Sequence, residues 1–170
     1  MLMLHVLIRS SIAGALVVLA AGTGAAADRP LPAFHVVSAT GQPVASADLG
    51  DAGRWLLVYT RPQCAACDQV LRLLVANDSE SAPPPVLTPQ SLAHVRIVVG
   101  GAAGAVVNAL RQRYPALAAA TWYGDPSGDM AAALALHGAP AVFGVNDRNV
   151  TWTSQGALPI TRSVIAEWLK

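Results

Sequence analysis

Apolar residues in this chain form short, nearly continuous runs in two segments. Segment 54–60 contains the nearly continuous run Trp55-Leu-Leu-Val-Tyr59, and segment 94–99 reads His-Val-Arg-Ile-Val-Val. Such runs predict strands that are buried on both faces of a sheet, as in parallel βαβ units. Weaker strand signals lie at 34–37, from Val44 onward and at 121–123. Residues 141–145 and 150–153 flank a polar turn, which predicts a β-hairpin.

Helical spacing of apolar residues separates these strands. We expect a first helix from Cys67 to about Asn77, then a loop over 78–89 that contains three consecutive prolines. A second helix should end before Pro115. A third covers 129–136, with Gly138 as its C-terminal cap. Thr161 can cap a last helix.

The order of elements is strand, helix, strand, helix, then hairpin and helix. This order predicts an α/β sandwich with a mixed sheet, parallel in its first half and antiparallel at the hairpin. The length of 170 residues fits one domain after removal of an export signal.

The N-terminus has the features of such a signal. His5 and Arg9 precede an apolar run over 12–20, and small residues at 25–27 suit cleavage after Ala27. We therefore predict a signal peptide over 1–27 and one domain over 28–170, in the periplasm or elsewhere in the cell envelope. The alternative is an uncleaved anchor that tethers the protein, although a membrane span needs about 20 apolar residues. A start at Met3 would change nothing downstream.

The charge balance argues against nucleic acid and anionic membranes as partners. The chain has 11 Lys and Arg against 10 Asp and Glu, and loss of Arg9 with the signal makes the two signs equal. A neutral domain has no electrostatic footprint for nucleic acid or an anionic membrane.

The chemistry centres on the only two cysteines, Cys64 and Cys67, which are separated by two alanines. A bridge across so short a loop stabilises a fold little, which favours a reactive dithiol over a structural staple. Cys64 lies where a strand gives way to a helix, so free N–H groups and the helix dipole should lower the pKa of its thiol below about 8.5. Cys67 is then placed to resolve a mixed disulfide.

Metal binding is the alternative use of the cysteine pair. Structural zinc takes four ligands, but there is no second cysteine pair and His35, His94 and His137 are scattered. A copper-binding module could use Cys64, Cys67 and His137, although copper-delivery proteins with two cysteines and a histidine usually space their cysteines by three residues. A simpler interpretation places His137 at the end of a helix, beside its C-terminal dipole. We predict no metal and no cofactor beyond the redox-active disulfide.

A second candidate feature is Gly138-Ala139-Pro140, directly before a predicted strand. If Pro140 were cis, the backbone of Ala139 would be open to an extended peptide. Ala139 and Pro140 are therefore the predicted substrate-binding residues. From these residues alone, an ordinary trans proline in a turn is favoured, because cis X–Pro bonds are a small minority in folded proteins.

Three segments in order carry a resemblance to a known family. They are Phe34-His-Val-Val with Gly41-Gln-Pro-Val, the run from Trp55 to Cys67, and Asp125-Pro-Ser-Gly with Gly138-Ala-Pro. Together they resemble the thioredoxin-like disulfide reductases of the bacterial envelope that serve cytochrome c maturation (TlpA/ResA type). The resemblance implies a three-layer sandwich with an N-terminal hairpin, a cis Pro140 packed against Cys64, and no cofactor.

Several positions depart from that family. Gln63 replaces a Trp, two alanines stand between the cysteines, and Ala139 replaces the commoner Thr. Val58 occupies the position of the buried carboxylate that accepts a proton from the resolving thiol in thioredoxins, which leaves Asp68, water or another carboxylate for that role. Because of these departures, neither the substrate nor the direction of electron flow can be transferred from the family.

The function predicted from the sequence is an exported, monomeric thiol–disulfide oxidoreductase, with reductase favoured over oxidase. Its partners would be a protein thiol or disulfide substrate and an upstream redox partner. A non-catalytic thioredoxin-like component of an envelope assembly is the remaining alternative.

Overall fold

The computed structural model describes residues 28–50, 52–75, 87–156 and 160–170. The strands are β1 (Arg29–Pro30), β2 (His35–Ser38), β3 (Pro43–Ala45), β4 (Arg54–Thr60), β5 (Val95–Gly100), β6 (Thr121–Asp125), β7 (Ala141–Asn146) and β8 (Asn149–Gln155). The α-helices are α1 (Ala65–Val75), α2 (Pro89–Leu92), α3 (Gly104–Arg113), α4 (Asp129–Ala133) and α5 (Arg162–Trp168). Short 3-10 turns cover Ser46–Asp48 and Pro115–Leu117.

The eight strands of the described residues form one mixed sheet in the order β1-β8-β7-β4-β5-β6-β2-β3. The central strands β4, β5 and β6 are parallel. The hairpin of β7 and β8 joins β4 in antiparallel orientation, and β2 and β3 form an antiparallel hairpin beside β6. The mixed sheet and the N-terminal hairpin predicted from the sequence are confirmed.

Both faces of the sheet are covered, which makes the fold a three-layer sandwich. Along β4, Leu56 and Val58 point to one face and Leu57 and Tyr59 to the other, as the two-residue period of a strand requires. The first face packs against apolar residues of α1, α3 and α5, and the second against α4 and the N-terminal segment. Burial on both faces explains why β4 is an almost uninterrupted apolar run.

The structure corrects the predicted third helix. It ends at Ala133 instead of Leu136, so Gly138 is not its cap and His137 does not lie at its terminus. The chain leaves the helix through Leu134 and a left-handed Ala135 (φ 50°). This exit lets Leu134 pack into the core below β2 and β4, and tertiary packing here outweighs alanine's helix propensity.

Two short elements were not predicted. β1 consists of Arg29 and Pro30 and pairs with β8. Two such residues show no apolar alternation from which a strand could be predicted. Helix α2 begins at Pro89, inside the predicted loop, because Thr88 accepts a hydrogen bond from the Ser91 N–H at 3.1 Å. Residues 78–86 of that loop lie outside the described residues, as does the predicted end of the first helix near Asn77.

The predicted start of the last helix is confirmed, since Thr161 accepts a hydrogen bond from the Val164 N–H. The predicted signal peptide or anchor, residues 1–27, lies outside the described residues. In the part of the chain that the structure describes, no helix has the length and apolar character to cross a membrane.

Candidate active site

The two cysteines lie at the junction of β4 and α1. Strand β4 ends at Thr60, the chain turns through Gln63 in the left-handed region (φ 57°), and α1 begins at Ala65. Cys64 and Cys67 are joined as a disulfide, with their Cα atoms 5.1 Å apart. The strand-to-helix position predicted for the motif is therefore confirmed.

The two sulfur-bearing residues differ in exposure. Cys67 is 1% exposed and lies on the side of α1 that faces the sheet, together with Val70, Leu71 and Leu74. Cys64 precedes the helix and is partly exposed. An external thiol or disulfide can therefore reach Cys64 and not Cys67.

Backbone donors of α1 face the Cys64 sulfur. The Cys67 N–H donates to Cys64 Sγ at a distance of 3.1 Å. This N–H belongs to the first turn of the helix, whose amides lack carbonyl partners within the helix and lie at the positive end of its dipole. The same arrangement would stabilise a thiolate on Cys64 after reduction, as the sequence predicts.

The second half of the site comes from the loop before β7. The Ala139–Pro140 peptide bond is cis, as the resemblance implied. Cys64 Sγ lies 3.8 Å from the Ala139 carbonyl oxygen, and Pro140 is buried while Ala139 is partly exposed. The Pro140 carbonyl accepts from Gly156 N–H at 2.9 Å, which joins this loop to the end of β8. The structure thus places the two predicted substrate-binding residues beside the predicted nucleophile.

An open groove of about 500 Å³ runs beside Cys64. Its lining consists of Arg61, Pro62, Gln63, Cys64, Gly100, Gly101 and Ala139. Gly100 has no room for a side chain, because a Cβ there would overlap the Tyr59 hydroxyl oxygen. The groove therefore has a floor of glycine backbone, and Arg61 is the one charged residue among the described residues that line it.

A buried pair beneath this groove was not predicted from the sequence. Asp125 is fully buried at the end of β6, and its carboxylate accepts from the N–H groups of Met130 (3.4 Å) and Ala131 (3.2 Å). Burial raises the pKa of Tyr59, the negative charge of Asp125 raises it further, and Arg61 opposes the shift. The only sequence signal was the Asp-Pro-Ser-Gly turn, which gives no indication of burial.

Asp68 is engaged elsewhere. Its carboxylate accepts a hydrogen bond from the Tyr114 hydroxyl at 2.7 Å and lies 3.7 Å from the Arg113 guanidinium. Burial raises the pKa of Tyr114, and the hydrogen bond to Asp68 adds to that effect. Val58 is fully buried, so an apolar side chain occupies the position that the resemblance assigned to a proton-accepting carboxylate. Asp68 therefore joins α1 to the end of α3.

The structure gives no support to the copper-binding alternative. His137 is exposed in the segment after α4. Among the described residues, no three His, Cys, Asp or Glu side chains are grouped so that they could hold a metal ion.

The mixed sheet between helical layers, the disulfide at the strand-to-helix junction and the opposing cis-proline loop define a thioredoxin-like fold. Several solved structures carry the same fold. They include a secreted Mycobacterium tuberculosis disulfide oxidoreductase homologous to E. coli DsbE, with a TM-score of 0.59, 15% identity and coverage of 80% of this chain and 93% of that one.

A putative thiol:disulfide interchange protein DsbE from Chlorobium tepidum matches with a TM-score of 0.60 and 16% identity, covering 84% of this chain and 94% of that one. An exposed lipoprotein thioredoxin from Streptococcus pneumoniae matches with a TM-score of 0.55 and 16% identity, covering 81% of this chain and 97% of that one. No known family's sequence profile matches the chain, and no curated protein matches it. At such low identities, the likeness establishes the fold alone.

Proposed function

We propose that this protein is a thiol–disulfide oxidoreductase that exchanges electrons with protein disulfides through Cys64 and Cys67. The observation that carries the proposal is the asymmetry of the pair: Cys64 is accessible beside the cis-proline loop, and Cys67 is buried behind it. A purely structural disulfide would not need one accessible sulfur. A bridge across so short a loop also stabilises a fold little.

The geometry supports a two-step exchange. In the reducing direction, the Cys64 thiolate attacks one sulfur of a substrate disulfide, forms a mixed disulfide and releases the other sulfur as a thiolate. Cys67, one helical turn away, then attacks Cys64 Sγ and expels the second substrate thiolate. Two electrons pass to the substrate, the Cys64–Cys67 disulfide forms, and solvent supplies the protons that the product thiols take up.

Substrate binding would use the loop before β7. The partly exposed backbone of Ala139 lies next to Cys64 Sγ, where it could pair with an extended segment of the substrate. The glycine floor formed by Gly100 and Gly101 lets a main chain approach closely. The small side chain at position 139 favours a broad range of protein substrates.

We further propose that the protein acts in the cell envelope as a monomer, with an upstream protein that resets its disulfide. The signal-like residues 1–27 support export, and two structural relatives are described as a secreted protein and an exposed lipoprotein. If residues 1–27 are retained, they would serve as a membrane tether. The disulfide itself supplies the redox chemistry, so no further cofactor is needed.

The test is turnover of a disulfide-containing protein with dithiothreitol as electron donor. We expect Cys64→Ser to abolish turnover, because no other accessible thiol can begin the exchange. Cys67→Ser should retain the first step and accumulate a mixed disulfide between Cys64 and the substrate, visible on a non-reducing gel. Turnover by Cys64→Ser at the rate of the unmodified protein would contradict the proposal. Thiols no more reactive than exposed free cysteine would favour the non-catalytic alternative.

A further inference from the structure

The last residue of β4, Thr60, has a hydroxyl that the two-step exchange does not use. The residue is 1% exposed, and its Oγ1 is buried without a hydrogen-bond partner. Among the described residues, only Trp55 Nε1 and Thr153 Oγ1 share this condition. Since nearly all buried polar groups in folded proteins are paired, an unpaired hydroxyl beside an active site requires an explanation.

The position of Thr60 follows from the strand's alternation. Leu56 and Val58 contact the layer that contains α1, so Thr60, two residues further on, lies on the same face. Only residues 61–64 separate the end of β4 from the start of α1. Cys67 lies in the first turn of α1 and faces the sheet. Thr60 is therefore a buried polar residue at the end of β4, on the face that α1 covers and four residues before the motif's first cysteine.

We propose that Thr60 donates a hydrogen bond to Cys67 Sγ when negative charge develops there. This inference rests on the proposed function. In this oxidised structure the Thr60 hydroxyl makes no hydrogen bond to Cys67 Sγ or to any other described group, and the sulfur of a disulfide is in any case a weak acceptor. A thiolate is a much stronger acceptor, and hydrogen bonds to charged groups are the stronger ones.

The step balances without any proton transfer from Thr60. An external thiolate attacks Cys64 Sγ and forms a new S–S bond to it, the Cys64–Cys67 bond breaks, and its electron pair remains on Cys67 Sγ. Thr60 keeps its proton and stabilises the leaving thiolate, which later takes a proton from water. Because the return attack by Cys67 passes through the same transition state, Thr60 would speed both opening and closing. Val58, on the same face of β4, has no polar group for this role, and Asp68 is engaged with Tyr114 and Arg113.

The experiment measures how fast dithiothreitol opens the oxidised disulfide in Thr60→Val, which keeps the shape and loses the hydroxyl. We expect a rate about tenfold lower, the size expected for one hydrogen bond to a charged group. Thr60→Ser should restore the rate to within about twofold, because it retains the O–H. The thermal midpoint of Thr60→Val should stay equal or rise, since a buried unpaired hydroxyl is removed.

Thr153→Val is the matched control, because it deletes another buried, unpaired threonine hydroxyl, on β8. Its neighbour across the hairpin, Phe143, packs on the sheet face opposite α1. This variant should keep the opening rate. Equal opening rates in Thr60→Val and the unmodified protein would overturn the inference, and so would Thr60→Ser as slow as Thr60→Val. Because opening by dithiothreitol needs no protein substrate, this result is separate from a failure of the proposed function, which Cys64→Ser turnover reports.

Discussion

At the scale of single residues, the site depends on how differently two identical side chains are surrounded. Cys64 is open to solvent and accepts a backbone N–H, whereas Cys67 is buried on an apolar helix face. The spacing of the motif gives both cysteines but not this difference, which arises from the sheet beneath α1. The roles of nucleophile and resolving thiol therefore depend on burial as much as on chain order.

The first prediction concerns Tyr59, whose neutral form is stabilised by burial and by the adjacent Asp125. Asp125→Asn removes the negative charge, so the pKa of Tyr59 should fall while burial keeps it above the ordinary value of about 10. Absorbance of the phenolate during an alkaline titration, or NMR of the ring, measures the shift. Tyr114 and Tyr123 serve as internal controls, because Asp125 contributes to the pKa of neither. An unchanged Tyr59 titration would contradict the prediction.

The sign of the linked stability follows from the same shift. Because the folded pKa of Tyr59 is raised, its stabilising contribution is complete below the unfolded value of about 10 and is lost as the pH rises through the folded value. In Asp125→Asn the loss should begin at the same pH, because the unfolded pKa of Tyr59 is unchanged, but it should be smaller and complete at a lower pH, because the folded pKa of Tyr59 is lower. Denaturant unfolding between about pH 9 and 11 compares the two proteins.

At the scale of elements, the groove depends on close packing between β4 and β5. Gly100 ends β5 directly under the Tyr59 ring, and its partner on the neighbouring strand β6 is Asp125. A side chain at position 100 would push the phenol away from its place and raise the floor of the groove. The glycine is thus required by contact with a neighbouring strand.

The second prediction follows from that contact. Gly100→Ala would place a Cβ on top of Oη and Cζ of Tyr59, so the ring must move. We expect a loss of about 1–3 kcal/mol in the free energy of unfolding, as for other overpacked sites, with slower turnover. Gly138→Ala is the control, because a Cβ placed there meets nothing within 4 Å and the φ of Gly138 is not left-handed. Equal stability of the two variants, measured by denaturant unfolding, would show that the site can relax.

The elements also show what the pattern of apolar residues can and cannot predict. Strand β4 was predicted with its observed bounds, because a strand buried on both faces has a continuous apolar run. The third helix was predicted too long, because its end depends on where Leu134 enters the core. Strand β1 could not be predicted from the sequence, because its two residues form a strand only by pairing with β8.

At the scale of the whole molecule, the direction of electron flow depends on which redox form folds more stably. A protein whose oxidised form is the more stable gives up electrons readily, and one whose reduced form is the more stable takes them. No single residue of the motif determines this balance, because the two alanines between the cysteines contribute no charge or side-chain hydrogen bond. The balance is a property of the folded domain.

The third prediction is that this protein lies at the reducing end. We expect the Cys64–Cys67 pair to have a reduction potential near about −270 mV, and the oxidised protein to be more stable than the reduced one. Equilibration with dithiothreitol or glutathione redox buffers measures the potential, and thermal unfolding of both forms checks the stability order. A potential near about −120 mV would instead identify a disulfide-donating oxidant.

The sequence by itself determined the class of fold, the redox pair and the loop opposite it, because these depend on local patterns: apolar runs, a strand-to-helix motif and a proline before a strand. Tertiary structure alone decided which sulfur is buried, that Asp68 is held by Tyr114 and Arg113, and that Tyr59, Gly100 and Asp125 lie together beneath the groove. The physical reason is that burial, hydrogen-bond partners and close approach are properties of residues far apart in the chain. Only the packed sheet and its helices bring those residues together.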